Sequence, residues 1–106
     1  MKYLSRPEEL ILLAVWKMTD DPYGVNIRRF VMKLTGKYWS IGSIYVPLDR
    51  LEDKGFLRSY LADPTPERGG KSKRYYEPTK SGLAQLEEIR KIYQMVWKDA
   101  PEVTAD

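Results

Sequence analysis

Residues 40–82 read SIGSIYVPLDRLEDKGFLRSYLADPTPERGGKSKRYYEPTKSG, and their first part predicts an amphipathic helix. Ser40 is a favourable helix N-cap. Apolar residues then recur at i, i+4 and i+7, namely Ile44, Leu48 and Leu51. Gly55 follows Lys54 and can end the helix in the left-handed conformation. We therefore expect a helix from Ser40 to Lys54.

A β-hairpin is predicted after this helix. Residues 56–61 and 73–77 partly alternate apolar and polar side chains, as strands do. Between them, residues 63–70 contain two prolines and two glycines, a composition typical of turns. A helix followed by a basic hairpin is the layout of a winged helix. In that fold the helix enters a DNA groove, and the hairpin, or wing, touches the backbone beside it.

Two helices are predicted before this segment. The first begins at the capping box of residues 5–8 (Ser-Arg-Pro-Glu), runs to about Met18, and has apolar residues on more than one face. The second begins at Tyr23 or Gly24 and ends at Gly36. Its expected inner side consists of Val25, Ile27, Phe30, Val31 and Leu34. Residues 37–41 are expected to add a brief strand at the edge of the hairpin.

The last predicted helix starts after the cap Thr79, extends to Trp97 or Asp99, and carries a narrow apolar stripe. The stripe steps by three, three, four and three residues, through Leu83, Leu86, Ile89, Tyr93 and Val96. With Leu10 and Leu13 of the first helix and with Trp97, it forms a candidate dimer interface. The alternative is that the stripe packs only on its own domain.

These elements predict a mainly α fold with a small β-hairpin (α+β), that is, a winged helix-turn-helix plus a C-terminal dimerisation helix. The expected boundaries are residues 1–78 for the winged-helix DNA-binding domain, 79–100 for the dimerisation helix and 101–106 for a frayed tail. A length of 106 residues suits one compact domain with a modest core.

Composition removes several classes of protein. The chain has no cysteine and no histidine, so disulfides, thiolate metal sites and histidine-based catalysis are excluded. Residues 69–72 (Gly-Gly-Lys-Ser) lack the spacing and context of a phosphate-binding P-loop. We therefore expect no enzyme, no metal and no cofactor. The N-terminus has neither a signal-peptide pattern nor a membrane span, which predicts a cytoplasmic protein with no membrane partner.

Positive charge is concentrated at the predicted wing. The net charge is only +3, but residues 68–74 contain four basic side chains and no acidic one. Such a cluster suits contact with phosphates. The candidate wing residues for DNA binding are Arg68, Gly69, Gly70, Lys71, Lys73 and Arg74.

The third helix offers small and polar side chains near its start. Its candidate DNA contacts are Ser40, Gly42, Ser43, Tyr45 and Arg50. Later in the helix, however, acidic residues outnumber basic ones, so contact must come from the first turns. The alternative is that Ser40 is only a cap and Tyr45 only a core residue.

Several runs, in this order, resemble the PadR family of bacterial transcriptional regulators. They are YG at 23–24, GSIY at 42–45, LDRLEDKG at 48–55, GGKSKRYY at 69–76 and TKSG at 79–82. The resemblance spans about residues 8–97. Val46 stands where the family usually has proline directly after the tyrosine, with Pro47 one place later, and Pro78 stands where leucine is more usual. The first difference bears on where the recognition helix starts.

The resemblance implies a homodimeric winged-helix repressor bound to double-stranded DNA at a pseudo-palindromic operator. Ser43, Tyr45 and Arg50 would then face the DNA, Tyr23 would approach a phosphate, and the wing at 69–74 would reach the flanking groove. In short members of the family, a single C-terminal helix dimerises with the first helix. A protein-interaction adaptor with the same fold is the alternative function.

Three aromatic residues complete the set of candidates. Tyr93 and Trp97 are i, i+4 neighbours on the last helix, and Trp16 could approach them from the first. At a dimer axis they could hold a small, flat aromatic effector, as in the drug-responsive members of the family. Ordinary interface packing explains them as well, because tyrosine and tryptophan are enriched at interfaces.

Overall fold

The computed structural model describes residues 3–62 and 73–104, and it confirms the mainly α, winged-helix fold. In chain order, the elements are α1 (Arg6–Lys17), α2 (Gly24–Thr35), α3 (Ile41–Asp53), β1 (Leu57–Leu61), β2 (Arg74–Pro78) and α4 (Lys80–Trp97). The predicted wing residues Arg68, Gly69, Gly70 and Lys71 lie outside the described residues.

Helix α1 lies at the centre of the core. Four of its apolar residues are buried, namely Ile11, Leu12, Ala14 and Val15. They pack with Ile27 and Val31 of α2, with the α3 stripe of Ile44, Leu48 and Leu51, and with Phe56, Leu57, Tyr76 and Leu86. Leu13 and Trp16, by contrast, are 39% and 54% exposed. Helix α1 therefore has both a core face and an open apolar face.

The predicted caps form as expected. In α1, the Ser5 N–H donates to Glu8 Oε1 at 2.7 Å, and the Glu8 N–H donates to Ser5 Oγ at 3.3 Å. The Ser40 hydroxyl accepts from the Ser43 N–H at 3.1 Å, which fixes the start of α3. Gly55, with φ at 81°, follows the end of α3 in the conformation that glycine tolerates best.

Proline does not interrupt α3. Pro47 lies inside the helix and is buried against the core. Because proline has no N–H, the helix lacks one backbone hydrogen bond, the one to the Ser43 carbonyl in the first turn. The helix nevertheless continues to Asp53. Val46, just before it, is 48% exposed. The difference from the family pattern at 46–47 therefore leaves the predicted helix start unchanged.

The prediction of a strand at residues 37–41 is wrong. Hydrogen bonds instead hold residues 37–41 against α2. Arg28 Nε donates to the Trp39 carbonyl at 2.7 Å, and Trp39 Nε1 donates to Thr35 Oγ1 at 3.1 Å. The segment beside the hairpin is instead residues 22–23. The Tyr76 N–H donates to the Pro22 carbonyl at 2.9 Å, and Tyr23 forms an antiparallel bridge with Tyr75.

The inner side of α2 is narrower than predicted. Ile27 and Val31 are buried and Phe30 is half-buried, but Val25 and Leu34 are 45% and 46% exposed. The buried stripe begins at Gly24 and steps by three and four residues, so Val25 lies about 100° away from it around the helix.

Strands β1 and β2 form an antiparallel pair with Leu57 opposite Pro78 and Leu61 opposite Arg74. Residues alternate between the two faces. Tyr76, on the inner face, is 2% exposed and packs in the core. Tyr60 and Tyr75 stack on the outer face, with ring centroids 5.7 Å apart.

Candidate DNA-binding surface

Helix α3 presents an open face opposite its buried stripe. Gly42, Val46, Asp49 and Asp53 lie on this side and are exposed. Apart from its chain neighbours and its own helix backbone, a β-carbon built on Gly42 would meet no atom of the described residues within 4 Å. This part of the helix therefore allows another molecule to approach the backbone closely.

Ser40 and Ser43 are used first by the helix itself. Besides its cap bond, the Ser43 hydroxyl donates to the Ser40 carbonyl at 2.7 Å. Phosphate oxygens are acceptors, so Ser43 would have to release that carbonyl before donating to DNA. The two serines thus hold the start of α3 in place, and a direct DNA contact from them is still a prediction.

Tyr45 combines features of the two predicted roles, a DNA contact and a core residue. Its ring crosses the start of α2, where a β-carbon on Gly24 would lie 2.5 Å from the Tyr45 ring carbon Cζ. The side chain nevertheless keeps 37% of its surface exposed. Tyr45 therefore joins α3 to the N-terminus of α2 and still faces solvent there.

The first turn of α2 has features that suit an anion, although the Asp21 carboxylate, which accepts from Tyr75 Oη at 3.3 Å, lies just before it. Tyr23 is its N-cap but makes no side-chain cap bond, and the first turn contains no acidic residue. Backbone N–H groups at such an end carry partial positive charge. Lys73 brings a full charge to the same place, because its Nζ lies 4.0 Å from the centroid of the Tyr23 ring. Tyr75 packs edge-on against Tyr23, with centroids 5.8 Å apart.

Arg74 has a local role that the sequence did not indicate. Its Nη1 donates to Ser59 Oγ at 2.8 Å, and the Ser59 hydroxyl donates to Glu52 Oε2 at 2.6 Å. The guanidinium thus lies near the acidic end of α3 and offsets part of its charge. Of the basic wing residues that the structure describes, Lys73 is the one placed beside the start of α2.

Arg50 is exposed in the last turn of α3, where it makes no ion pair with any described residue. It is therefore available to a partner.

An apolar groove of about 900 Å³ separates α1 and α4. Its lining includes seven of the eight predicted interface residues, namely Leu10, Leu13, Leu83, Leu86, Ile89, Tyr93 and Trp97. Leu86 is only 9% exposed and also belongs to the core, whereas Val96 is 69% exposed and lies outside the lining. Trp16, Tyr93 and Trp97, the candidate ligand residues, all line this one groove.

One hydrogen bond closes part of the groove. Tyr93 Oη donates to Glu9 Oε2 at 2.8 Å, joining α4 to α1. This bond and the charge of Glu9 raise the pKa of Tyr93 above its ordinary value. Tyr93 therefore stays a neutral donor at physiological pH.

Other kinds of site are missing from the part of the chain that the structure covers. Residues 3–62 and 73–104 contain no cluster of three potential metal ligands. Over the same ranges, no helix is long and apolar enough to cross a membrane.

Comparison with protein families identifies the chain. The transcriptional regulator PadR-like family matches residues 12–88. The chain belongs to the PadR-like family. The family consists of transcriptional regulators, so the prediction that this protein is not an enzyme is confirmed. No curated protein matches the chain.

Solved structures share the fold of this PadR-like chain. A PadR-like transcriptional regulator from Bacillus cereus is 28% identical, with a TM-score of 0.69, over 86% of this chain and 84% of that one. A PadR-like transcription factor from Bacteroides fragilis is 23% identical, with a TM-score of 0.73, over 86% and 82%. A PadR family regulator from Clostridium difficile is 24% identical, with a TM-score of 0.65, over 85% and 91%.

Sequence reasoning missed one basic region of this PadR-like chain. Residues 22–48 contain four cations and no acidic residue: Arg28, Arg29, Lys33 and Lys37. This stretch covers all of α2 and the first half of α3. Arg28 also lies over the Tyr38 ring, 5.4 Å from its centroid. The absence of acidic residues over these 27 positions is the sequence signal for this region, although its cations are less dense than those of the wing.

Proposed function

We propose that this PadR-like chain is a sequence-specific DNA-binding repressor that binds a pseudo-palindromic operator as a homodimer. One observation carries the proposal: Lys73 lies over Tyr23 at the first turn of α2, which has neither a side-chain cap nor an acidic residue and lies against Tyr45 of α3. A phosphate at the start of α2 would meet a full charge and helix N–H groups together. A regulator of this kind acts on chromosomal DNA, so we place it in the cytoplasm.

The open face of α3 is the part that would read bases. Gly42 allows the helix to approach a groove edge, and Arg50 can donate to guanine or to a phosphate. The cations of residues 22–48 supply attraction that does not depend on sequence. The predicted contacts at Ser43 and in the wing belong to the same proposal.

The α1–α4 groove supports the homodimer. Residues 91–100 are all exposed in the isolated chain, and Trp16 and Trp97 expose 54% and 62% of their surfaces. A second copy placed across the groove would cover these rings and bring two copies of α3 to one side of the assembly. A pseudo-palindromic operator has the matching two-fold symmetry.

A small planar aromatic effector is the proposed means of release. Trp16, Tyr93 and Trp97 line the groove that the second copy would cover, so a flat ligand there would act at the dimer axis. Titrating tryptophan fluorescence with planar ligands tests this. Quenching that disappears in Trp97→Phe supports an effector site, and the absence of such quenching leaves the rings as packing.

Salt-dependent binding tests the DNA proposal. Anisotropy of a duplex taken from upstream of the protein's own gene should show affinity falling steeply as salt increases. Lys73→Ala should weaken binding and reduce the slope against log salt by about one. Lys98→Ala removes the same charge at the far end of α4 and should change neither. An affinity that does not change with salt concentration, or no binding to any duplex, would favour the protein-interaction adaptor instead.

A further inference from the structure

The open face of α3 carries a carboxylate near its middle. Asp49 lies between Val46 and Asp53 on the side opposite the buried Leu48 and Leu51. Its side chain is exposed and makes no hydrogen bond or ion pair with residues 3–62 or 73–104. In that part of the chain, Asp49 therefore has no structural role through a hydrogen bond or an ion pair.

The charge of Asp49 also acts on a tyrosine of the hairpin. Burial raises the pKa of Tyr76, and the charge of Asp49 raises it further. The carboxylate is therefore close enough to Tyr76 of β2 for the two groups to interact.

A carboxylate on a DNA-facing surface has one favourable partner class and one unfavourable one. Phosphates repel it, so its presence lowers affinity for DNA in general. In the major groove, base amino groups are the available donors, and a carboxylate is the natural acceptor for N4 of cytosine. An acid at this place therefore weakens binding to every duplex except one that offers an amino group opposite it.

We propose that Asp49 is a specificity-determining residue that selects a cytosine at one position of each operator half-site. The inference rests on the proposed function, since it requires the open face of α3 to enter the major groove. Asp49 lies beyond the first turns of α3, so this assignment departs from the sequence-based expectation that only those turns contact DNA.

The experiment is a selection of bound duplexes from a randomised library, followed by measured affinities for all four base pairs at each selected position. It uses the full-length wild-type protein, Asp49→Ala and Asp49→Asn. Asp53→Ala is the matched control, because it removes the same charge from the same face one turn later. Circular dichroism checks that each variant folds, which we expect because Asp49 is exposed and bonded to no described residue.

Wild-type protein should prefer cytosine at one half-site position by about 5- to 100-fold, the range that a good base contact supplies. Asp49→Ala should remove that preference alone and should tighten binding to unrelated DNA. Asp49→Asn should move the preference toward adenine, whose N6 and N7 suit an amide. Asp53→Ala should increase the affinity for DNA of unrelated sequence but leave the cytosine preference in place.

Two failures are distinguishable. If wild type selects a clear site and Asp49→Ala selects the same site with the same base preferences, the assignment of Asp49 is wrong and the DNA-binding function stands. If wild type selects no sequence at all, the proposed function fails, and the assignment of Asp49 fails with it.

Discussion

At Gly42, the effects of a substitution on protein stability and on the proposed DNA binding can be measured separately. Among residues 3–62 and 73–104, no atom apart from its chain neighbours and its own helix backbone lies within 4 Å of where its β-carbon would be. Gly42→Ala should therefore leave the free energy of unfolding unchanged or raise it by up to about 1 kcal/mol, because alanine is the better helix former. The added methyl group should still weaken operator binding by roughly tenfold, about 1.4 kcal/mol, by holding the helix off the groove.

Thermal unfolding and anisotropy on one preparation test both statements. Gly82→Ala is the contrasting variant, because its β-carbon would collide with the carbonyl oxygen of Phe56. It should lose stability by about 1–3 kcal/mol. Full operator affinity in Gly42→Ala would remove Gly42 from the DNA surface.

Gly24 and Tyr45 form a pair that a double-mutant cycle can measure. The three atoms nearest to a β-carbon at Gly24 all belong to the Tyr45 side chain, with ring carbon Cε1 at 2.7 Å. Gly24→Ala should therefore destabilise the wild-type protein by about 1–3 kcal/mol. In a Tyr45→Ala background it should be neutral or stabilising by up to about 1 kcal/mol. Equal effects in both backgrounds would mean that Tyr45 does not occupy that space.

Helices α1 and α3 are joined by a largely buried ion pair. Lys54 Nζ lies 2.8 Å from Glu8 Oε2, and the Glu8 side chain is only 4% exposed. Burial raises the pKa of Glu8, but the hydrogen bonds from Lys54 and Ser5, with the charge of Lys54, outweigh it and hold the pKa below its ordinary value. The pair thus fixes the first turn of α1 against the end of α3.

Glu8→Gln tests this link while keeping the capping box, which glutamine also forms. At neutral pH it should lower the free energy of unfolding by roughly 1–3 kcal/mol, because a hydrogen bond to a charged group is lost. Between the lowered folded pKa and the unfolded value of about 4.3, the unfolded chain binds more protons. The contribution of Glu8 is therefore present above about pH 5 and disappears as pH falls through the folded pKa.

Urea unfolding between pH 7 and pH 3 should show the two proteins converging as the pH falls. Glu87→Gln serves as the control, since the Glu87–Arg90 pair is 48% and 66% exposed and its loss should cost at most about 1 kcal/mol. A constant gap between wild type and Glu8→Gln across this range would mean that the charge of Glu8 is not what stabilises the link.

The helices and the hairpin could be predicted because their signals are local. Ser40 and Thr79 cap the helices that follow them, and the periodic residues of α3 are buried as the spacing requires. Residues 37–41 were mispredicted because long-range side-chain bonds decide their path, such as the one from Arg28 to the Trp39 carbonyl. The two linked hydrogen bonds that join Arg74 to Ser59 and Ser59 to Glu52 could not be predicted for the same reason. Periodicity shows which face is apolar, but it does not show which polar groups will meet.

The molecule as a whole is elongated, at 55 × 34 × 23 Å, and α4 is its longest described helix. Its first half packs against the core through Leu86, whereas residues 91–100 are exposed. Helical stability in proteins comes mostly from the packing of an apolar face, whereas the second half of α4 reaches α1 through the Tyr93–Glu9 hydrogen bond. A second copy across the α1–α4 groove would provide that packing, which is why oligomeric state and DNA affinity should change together.

Leu13→Lys tests that coupling. Leu13 is 39% exposed in the groove, and a lysine there would place a charge in the proposed interface. Sedimentation should find wild type at twice the monomer mass and the variant as a folded monomer. Binding to a single half-site should be unchanged, but binding to the full operator should lose the 10²- to 10⁴-fold advantage that linking two sites can give. Leu34→Lys, on the exposed side of α2, should remain dimeric. A dimeric Leu13→Lys protein with full operator affinity would place the interface elsewhere and leave the aromatic groove as a surface of the single chain.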